Sequence, residues 1–105
     1  MIEPKPLNPS YNKGGIQIWE WVGVTPSDDI APLSVNFTNA CAQVVGGAVI
    51  LEASLDGKNF GPVSRPVGEP TIIKTMGVFY VQGPVLFLRP KVLEGKATIR
   101  IAAVQ

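Results

Sequence analysis

The chain has 105 residues, nine Lys plus Arg against eight Asp plus Glu, a formal charge of +1, and no histidine. That length makes one domain, and a nearly neutral chain has no electrostatic footprint for nucleic acid or an anionic membrane surface. Without histidine it lacks the commonest general base, the commonest zinc ligand and every Ser–His or Cys–His nucleophile, so no enzyme activity, cofactor or metal is expected.

Residues 1–15 read as an extended arm. Pro4, Pro6 and Pro9 alternate with polar residues, Tyr11 follows, and Gly14-Gly15 close the segment. Proline-rich backbone favours extended conformations without internal hydrogen bonds, so the arm is expected to order on a partner surface. There is no apolar signal core in Met1–Pro6 and no stretch long enough for a membrane helix; a soluble product made in a reducing cytoplasm, or in that of an infected host, is expected.

From residue 16 onward the apolar pattern has period two and is broken every eight to twelve residues by turn signals. Strands are predicted at Ile16–Val22, Leu33–Thr38, Gly47–Leu55, Phe60–Ser64, Thr71–Thr75, Val78–Gln82, Val85–Leu93 and Lys96–Val104. Between them, Asn39–Val45 has room for one helical turn at most. This pattern predicts an all-β fold, a two-sheet antiparallel β-sandwich of jelly-roll or Greek-key type over residues 16–105. Cys41 is the only cysteine, so no intramolecular disulfide is possible, and a buried inert thiol is expected.

In the first strand Trp19 and Trp21 share a face with Gln17, while Ile16, Ile18, Glu20 and Val22 take the other. Both faces are heavily apolar. Either the indoles fill the core, or they lie outside it and anchor a protein contact. A third use, stacking on a sugar ring together with Tyr80, would make the chain a small carbohydrate-binding module.

Ser54-Leu55-Asp56-Gly57-Lys58-Asn59-Phe60 predicts a tight hairpin, with positive φ at Gly57, Asp56 accepting backbone N–H bonds, and Phe60 re-entering the core. Calcium binding by Asp56, even with Asp28 and Asp29, would need more oxygen ligands than this loop offers. Gly46-Gly47 precedes a strand and lacks the partners of a phosphate loop.

The last two strands permit a register test. If Glu94-Gly95 is a two-residue hairpin loop, Leu86, Leu88, Pro90 and Val92 share a face with Ala97, Ile99, Ile101 and Ala103. That register sets Arg89 across from Arg100, a repulsion to be relieved by a carboxylate of the same chain, such as Glu20 or Glu52, or of a neighbouring subunit. Pro90 has no ladder donor and predicts an edge or a bulge.

The hairpin in Val49–Phe60, the Leu-Arg-Pro strand around Val85–Arg89 and the Thr-Ile-Arg-Ile strand in Ala97–Ala103 together resemble small β-sandwich virion proteins of tailed phages. The hairpin alone is also similar to one in discoidin-like sugar-binding sandwiches. What the phage resemblance implies is a capsid decoration or cement protein: a dimer or trimer on the capsid surface that bridges subunits of the major capsid protein. Its interface candidates would be Pro4, Pro6, Pro9, Tyr11, Trp19, Trp21, Arg89 and Arg100.

Overall fold

A computed structural model describes residues 1–7, 16–63 and 71–104, with the side chains of 35–39, 82–85 and 104 left aside. Eight strands follow in chain order: β1 (Lys5–Pro6), β2 (Ile16–Val24), β3 (Leu33–Val45), β4 (Ala48–Ser54), β5 (Gly61–Pro62), β6 (Ile73–Lys74), β7 (Gly77–Glu94) and β8 (Ala97–Val104). All strand pairs are antiparallel. The hydrogen-bonded path runs β1-β2-β8-β3-β7-β4-β5, with β6 on β4. The two long strands, β3 and β7, carry the path from one layer to the other, so two antiparallel sheets pack face to face as a jelly-roll-like sandwich.

Alternation along the strands decides what lies between the layers. Trp19 and Trp21 of β2, Ala42 and Val44 of β3, Val49 and Leu51 of β4, Leu88 and Val92 of β7, and Ile99 and Ile101 of β8 form one cluster. The Trp21 indole N–H donates to the Ala31 carbonyl at 3.2 Å, so its one polar atom is satisfied inside.

Several elements depart from expectation. The Asn39–Val45 stretch continues β3, because Ala40, Ala42 and Val44 alternate inward and pair with both β7 and β8. The two strands expected at Val78–Gln82 and Val85–Leu93 are one, and Gly83-Pro84 falls in a bulge between the pairs Asn39↔Gln82 and Phe37↔Val85. At Glu94-Gly95 there is no hairpin. β7 pairs with β3 and β4, β8 pairs with β2 and β3, and the turn passes between layers. The inward sets were nonetheless those expected, apart from Leu86, which is exposed. Pro90 pairs with Leu51 on one side, while on the other the β3 register ends at Leu33↔Leu88, so the strand is an edge there.

The crossing between layers is tight. Gly46 and Gly47 both have positive φ, and a Cβ on Gly47 would sit 2.5 Å from the Glu94 carbonyl; only glycine fits such a corner without distortion.

Part of the expected arm lies on this chain. Lys5 and Pro6 pair with Glu20 and Trp19, Leu7 N–H donates to Ile18 O at 2.9 Å, and Ile2 exchanges backbone bonds with Asp29 and Ala31. Pro6 suits this outermost strand because it offers no free donor to another chain. Pro9 and Tyr11 lie outside the described residues.

Candidate functional site

The expected interface residues that lie among the described ones do not assemble into one site. Trp19 and Trp21 are 8% and 0% exposed: they are core, because the face of β2 that carries them is the one turned between the sheets. With both indoles buried, only Tyr80 of the three stacking residues remains at the surface, so the sugar platform is not formed.

Arg89 and Arg100 lie on different layers and do not face each other. Arg89 sits across from Glu52, its Nε 2.8 Å from Oε1, with the guanidinium 3.9 Å over the Phe60 ring. Arg100 sits across from Glu20, Nε to Oε2 at 2.5 Å. The expected carboxylates are therefore the ones that meet the arginines, each through its own ladder. Phe60 is half-buried beneath Arg89 and is not part of the core cluster.

The Ser54–Asn59 loop is held from within. Asp56 Oδ1 accepts the N–H groups of Lys58 and Asn59, both at 2.8 Å, Oδ2 accepts the Asn59 amide at 2.8 Å, and the Ser54 hydroxyl donates to Oδ1. These bonds, led by the Asn59 backbone N–H, hold the Asp56 carboxyl well below its ordinary range. Its oxygens are committed to a turn.

What the sequence reading missed is the outward face of the β2-β8-β3-β7 layer. Register places Ile18, Ala102, Cys41 and Tyr80 in one row, and Glu20, Arg100, Gln43 and Val78 in the next. Beyond it Val45 pairs with Thr98, and exposed Val22 falls in the bulge of β2 between Trp21↔Ile99 and Val24↔Ala97. Outward positions of an antiparallel sheet facing water are ordinarily polar. Here Val22 is 62% exposed, Val78 51% and Tyr80 70%. The signal was present in the alternation of β2, where Ile16, Ile18 and Val22 oppose the tryptophans, but without the register nothing joined them to Ala102 and Val78.

A groove of about 500 Å³ opens on this face. Leu7, Ile18, Ala102 and Val78 give it apolar walls, and Glu20, Arg100 and Gln43 supply polar groups on one row. The Glu20 side chain is 14% exposed and fixes the guanidinium through Nε; the terminal nitrogens of Arg100 have no hydrogen-bond partner among the described residues. Cys41 also lines the groove, half-buried, its thiol pushed above its ordinary value by burial, which keeps it protonated and a poor nucleophile. A second depression of about 280 Å³ lies between residues 25–30 and Arg89–Val92. Asp28 there is spent on the N–H and hydroxyl of Thr25, and Glu52 on Arg89.

No family model matches the chain, and no curated protein matches its sequence. Solved structures do share its shape. An RmlC-like cupin family protein with a double-stranded β-helix fold, from Methanocaldococcus jannaschii, aligns over 99% of this chain and 80% of its own at 13% identity, TM-score 0.62. A cupin superfamily protein from Desulfitobacterium hafniense aligns over 100% and 79% at 8% identity, TM-score 0.57. Hydroxypropylphosphonic acid epoxidase from S. wedmorenis aligns over 84% of this chain but 41% of its own, at 14% identity and TM-score 0.52. These neighbours correct the capsid-decoration function drawn from Val49–Phe60, Val85–Arg89 and Ala97–Ala103, which is carried no further: the sandwich is the one shared by cupin proteins. Because an epoxidase is among them, the fold does not support the expectation that the chain is no enzyme.

HppE structures with this fold carry iron(II) or cobalt(II), and the residues here do not suit such a metal. The chain has no histidine, Ser54 is the one buried polar side chain among the described residues, and no cluster of three Cys, Asp or Glu occurs among them. Indoles and aliphatic side chains between the sheets offer no donor set for iron or cobalt. What the comparisons establish is the fold, a cupin-like β-sandwich; side chains of this chain's own core cluster fill the space between its sheets.

Proposed function

We propose that this chain is a binding domain on a cupin-like scaffold, taking a small amphipathic molecule in the groove on the outside of its β2-β8-β3-β7 layer. The observation that carries this reading is the groove itself, apolar along Leu7, Ile18, Ala102 and Val78 and polar at Arg100 and Gln43. Its volume lies within the range of small-molecule sites, about 300–1,000 Å³. The ligand chemistry that fits is a hydrocarbon or ring body with one carboxylate or similar acceptor. The body rests on the aliphatic walls, and the head accepts from the terminal nitrogens of Arg100 and from the Gln43 amide. Glu20 orients the guanidinium and offsets its charge, so the site binds an anion without a strongly positive surface.

No catalytic step is assigned. Cys41 is held as the thiol, Glu20 is engaged by Arg100, and the site opens to water, where general acid or base groups gain little from their surroundings.

Displacement of a fluorescent amphipathic sulfonate, anilinonaphthalene sulfonate, by decanoate tests the reading. Ala102→Phe, which fills the groove, is expected to abolish probe binding, and Arg100→Met to weaken it about tenfold, roughly 1.4 kcal/mol. Probe affinity unchanged in both variants would place the binding elsewhere and overturn the proposal.

A further inference from the structure

The second depression, about 280 Å³, shares no lining residue with the groove; it lies where β7 runs as an edge past the loop that joins β2 to β3. Its two walls carry opposite charge. Asp28 and Asp29 stand on the loop side, Arg89 and Lys91 on the β7 side. Glu52 forms an ion pair with Arg89 through Nε. No carboxylate of the loop comes within 4.0 Å of either cation, so the two signs face each other across the hollow without meeting.

Each wall is held by its own bonds. Asp28 Oδ2 accepts the Thr25 N–H at 2.8 Å and the Thr25 hydroxyl at 3.0 Å, which ties the loop into a turn. The Ile2 N–H donates to the Asp29 carbonyl at 2.8 Å, and the Ala31 N–H donates to the Ile2 carbonyl at 2.8 Å. The backbone is thus fixed on both sides of Ile30, while the Asp29 carboxylate has no hydrogen-bond or ion-pair partner among the described residues. Opposite, Glu52 and the Phe60 ring steady Arg89. Its terminal nitrogens and the Lys91 ammonium have no such partner among the described residues. Groups placed before a ligand arrives cost less to order on binding.

This arrangement decides what fits. An anion drawn to Arg89 and Lys91 faces the carboxylates of Asp28 and Asp29, and a cation drawn to Asp29 faces the two bases; each gains from one wall and loses to the other. A neutral polar molecule makes hydrogen bonds about half as strong as charge-assisted ones. A molecule that carries both charges gains from both walls. The volume, just under the usual range of about 300–1,000 Å³, limits it to a small carbon frame. Pro26 and Ile30 offer that frame an apolar contact.

We propose that this depression is a second binding site, for a short zwitterion of the amino-acid class. The ligand's ammonium donates to the Asp29 carboxylate, and its carboxylate accepts from Lys91 and the terminal nitrogens of Arg89. The groove reading plays no part, so either site stands or falls without the other. Because the charged groups remain partly solvated, the affinity is on the order of millimolar.

Two-dimensional NMR of the full chain, with its amide shifts followed during titration with glycine, L-proline and γ-aminobutyrate at constant ionic strength, tests the proposal. At least one of the three should give saturable shifts centred on residues 25–30 and 89–92. Acetate and methylammonium, each with one of the two charges, should bind about tenfold more weakly than the best zwitterion. Lys91→Met and, as a separate variant, Asp29→Asn should each lower its affinity about fivefold. An amide spectrum otherwise unchanged shows that a variant folds, and one folded variant is enough for the comparison. No saturable shift below about 100 mM with any of the three overturns the proposal, as do shifts centred elsewhere. Acetate that binds as tightly as the best zwitterion reduces the site to an anion contact and overturns it too, and so does an affinity indifferent to the substitutions.

Discussion

The two faces of the β2-β8-β3-β7 layer are both apolar, and they differ in what the fold does with them. Inward, Trp19, Trp21, Ile99 and Ile101 are nearly without solvent and meet the second sheet. Outward, Ile18, Ala102, Val78 and Tyr80 meet no second layer among the described residues, although Leu7 stands at the groove they form. The first set accounts for folding; the second is surplus to it. A surface that exposes valine and tyrosine on neighbouring ladders gives up hydrophobic stabilisation that a covering molecule recovers, which is why the outer face carries the groove proposal.

The sharpest contrast lies between two aromatic residues. Trp21→Ala should cost about 3–5 kcal/mol in urea unfolding, through lost burial, the cavity left behind and an orphaned Ala31 carbonyl. Tyr80→Ala should stay within about 0.5 kcal/mol, as surface substitutions do. Equal costs would mean that the outer face belongs to the core. Next, Ile101→Val should cost about 1 kcal/mol, whereas Ala102→Ser, one position along and facing out, should leave the unfolding midpoint nearly unmoved.

A smaller comparison sets the two ion pairs against each other. Glu52→Gln and Glu20→Gln should each change stability by less than about 1 kcal/mol, since both arginines remain partly solvated. Only Glu20→Gln should alter sulfonate binding, raising affinity by removing the competing carboxylate from Arg100. A change of the same size in both variants would separate binding from the groove.

Acid supplies the smallest effect. The Asp56 carboxyl is held low in the folded state, so its contribution is full above about pH 4, the ordinary aspartate value, and is lost as pH falls through the lowered folded value. Thermal melts of Asp56→Asn, which keeps the Oδ1 acceptor, should show a weaker acid dependence than the parent chain. An identical acid slope would remove the loop from the pH response.

Much of the fold was legible. The period-two pattern located β2, β4 and β8 to within about two residues, an accuracy typical of element ends. It also separated inward Leu88, Pro90 and Val92 from outward Arg89 and Lys91. The carboxylates that meet the arginines were named, although to relieve an Arg89–Arg100 apposition that does not occur: each arginine meets its own acid across its own ladder. The site was less legible. Trp19 and Trp21 drew attention as large aromatics, yet size is equally a reason for burial, and nothing local to β2 says which side faces the second sheet. The groove joins Ile18, Ala102, Cys41 and Val78 from four strands, and no spacing along the chain brings them together.

The sequence by itself determined that this is an all-β chain, which residues share a strand face, and that no histidine-based chemistry is possible. Tertiary structure alone decided the partners. Alternation is a local property, set by the pleat of one strand, whereas pairing is a choice among distant segments. The step at Glu94-Gly95 carries β8 away from β7 to lie between β2 and β3, and that placement turned the tryptophans inward and left an oily row on the outside.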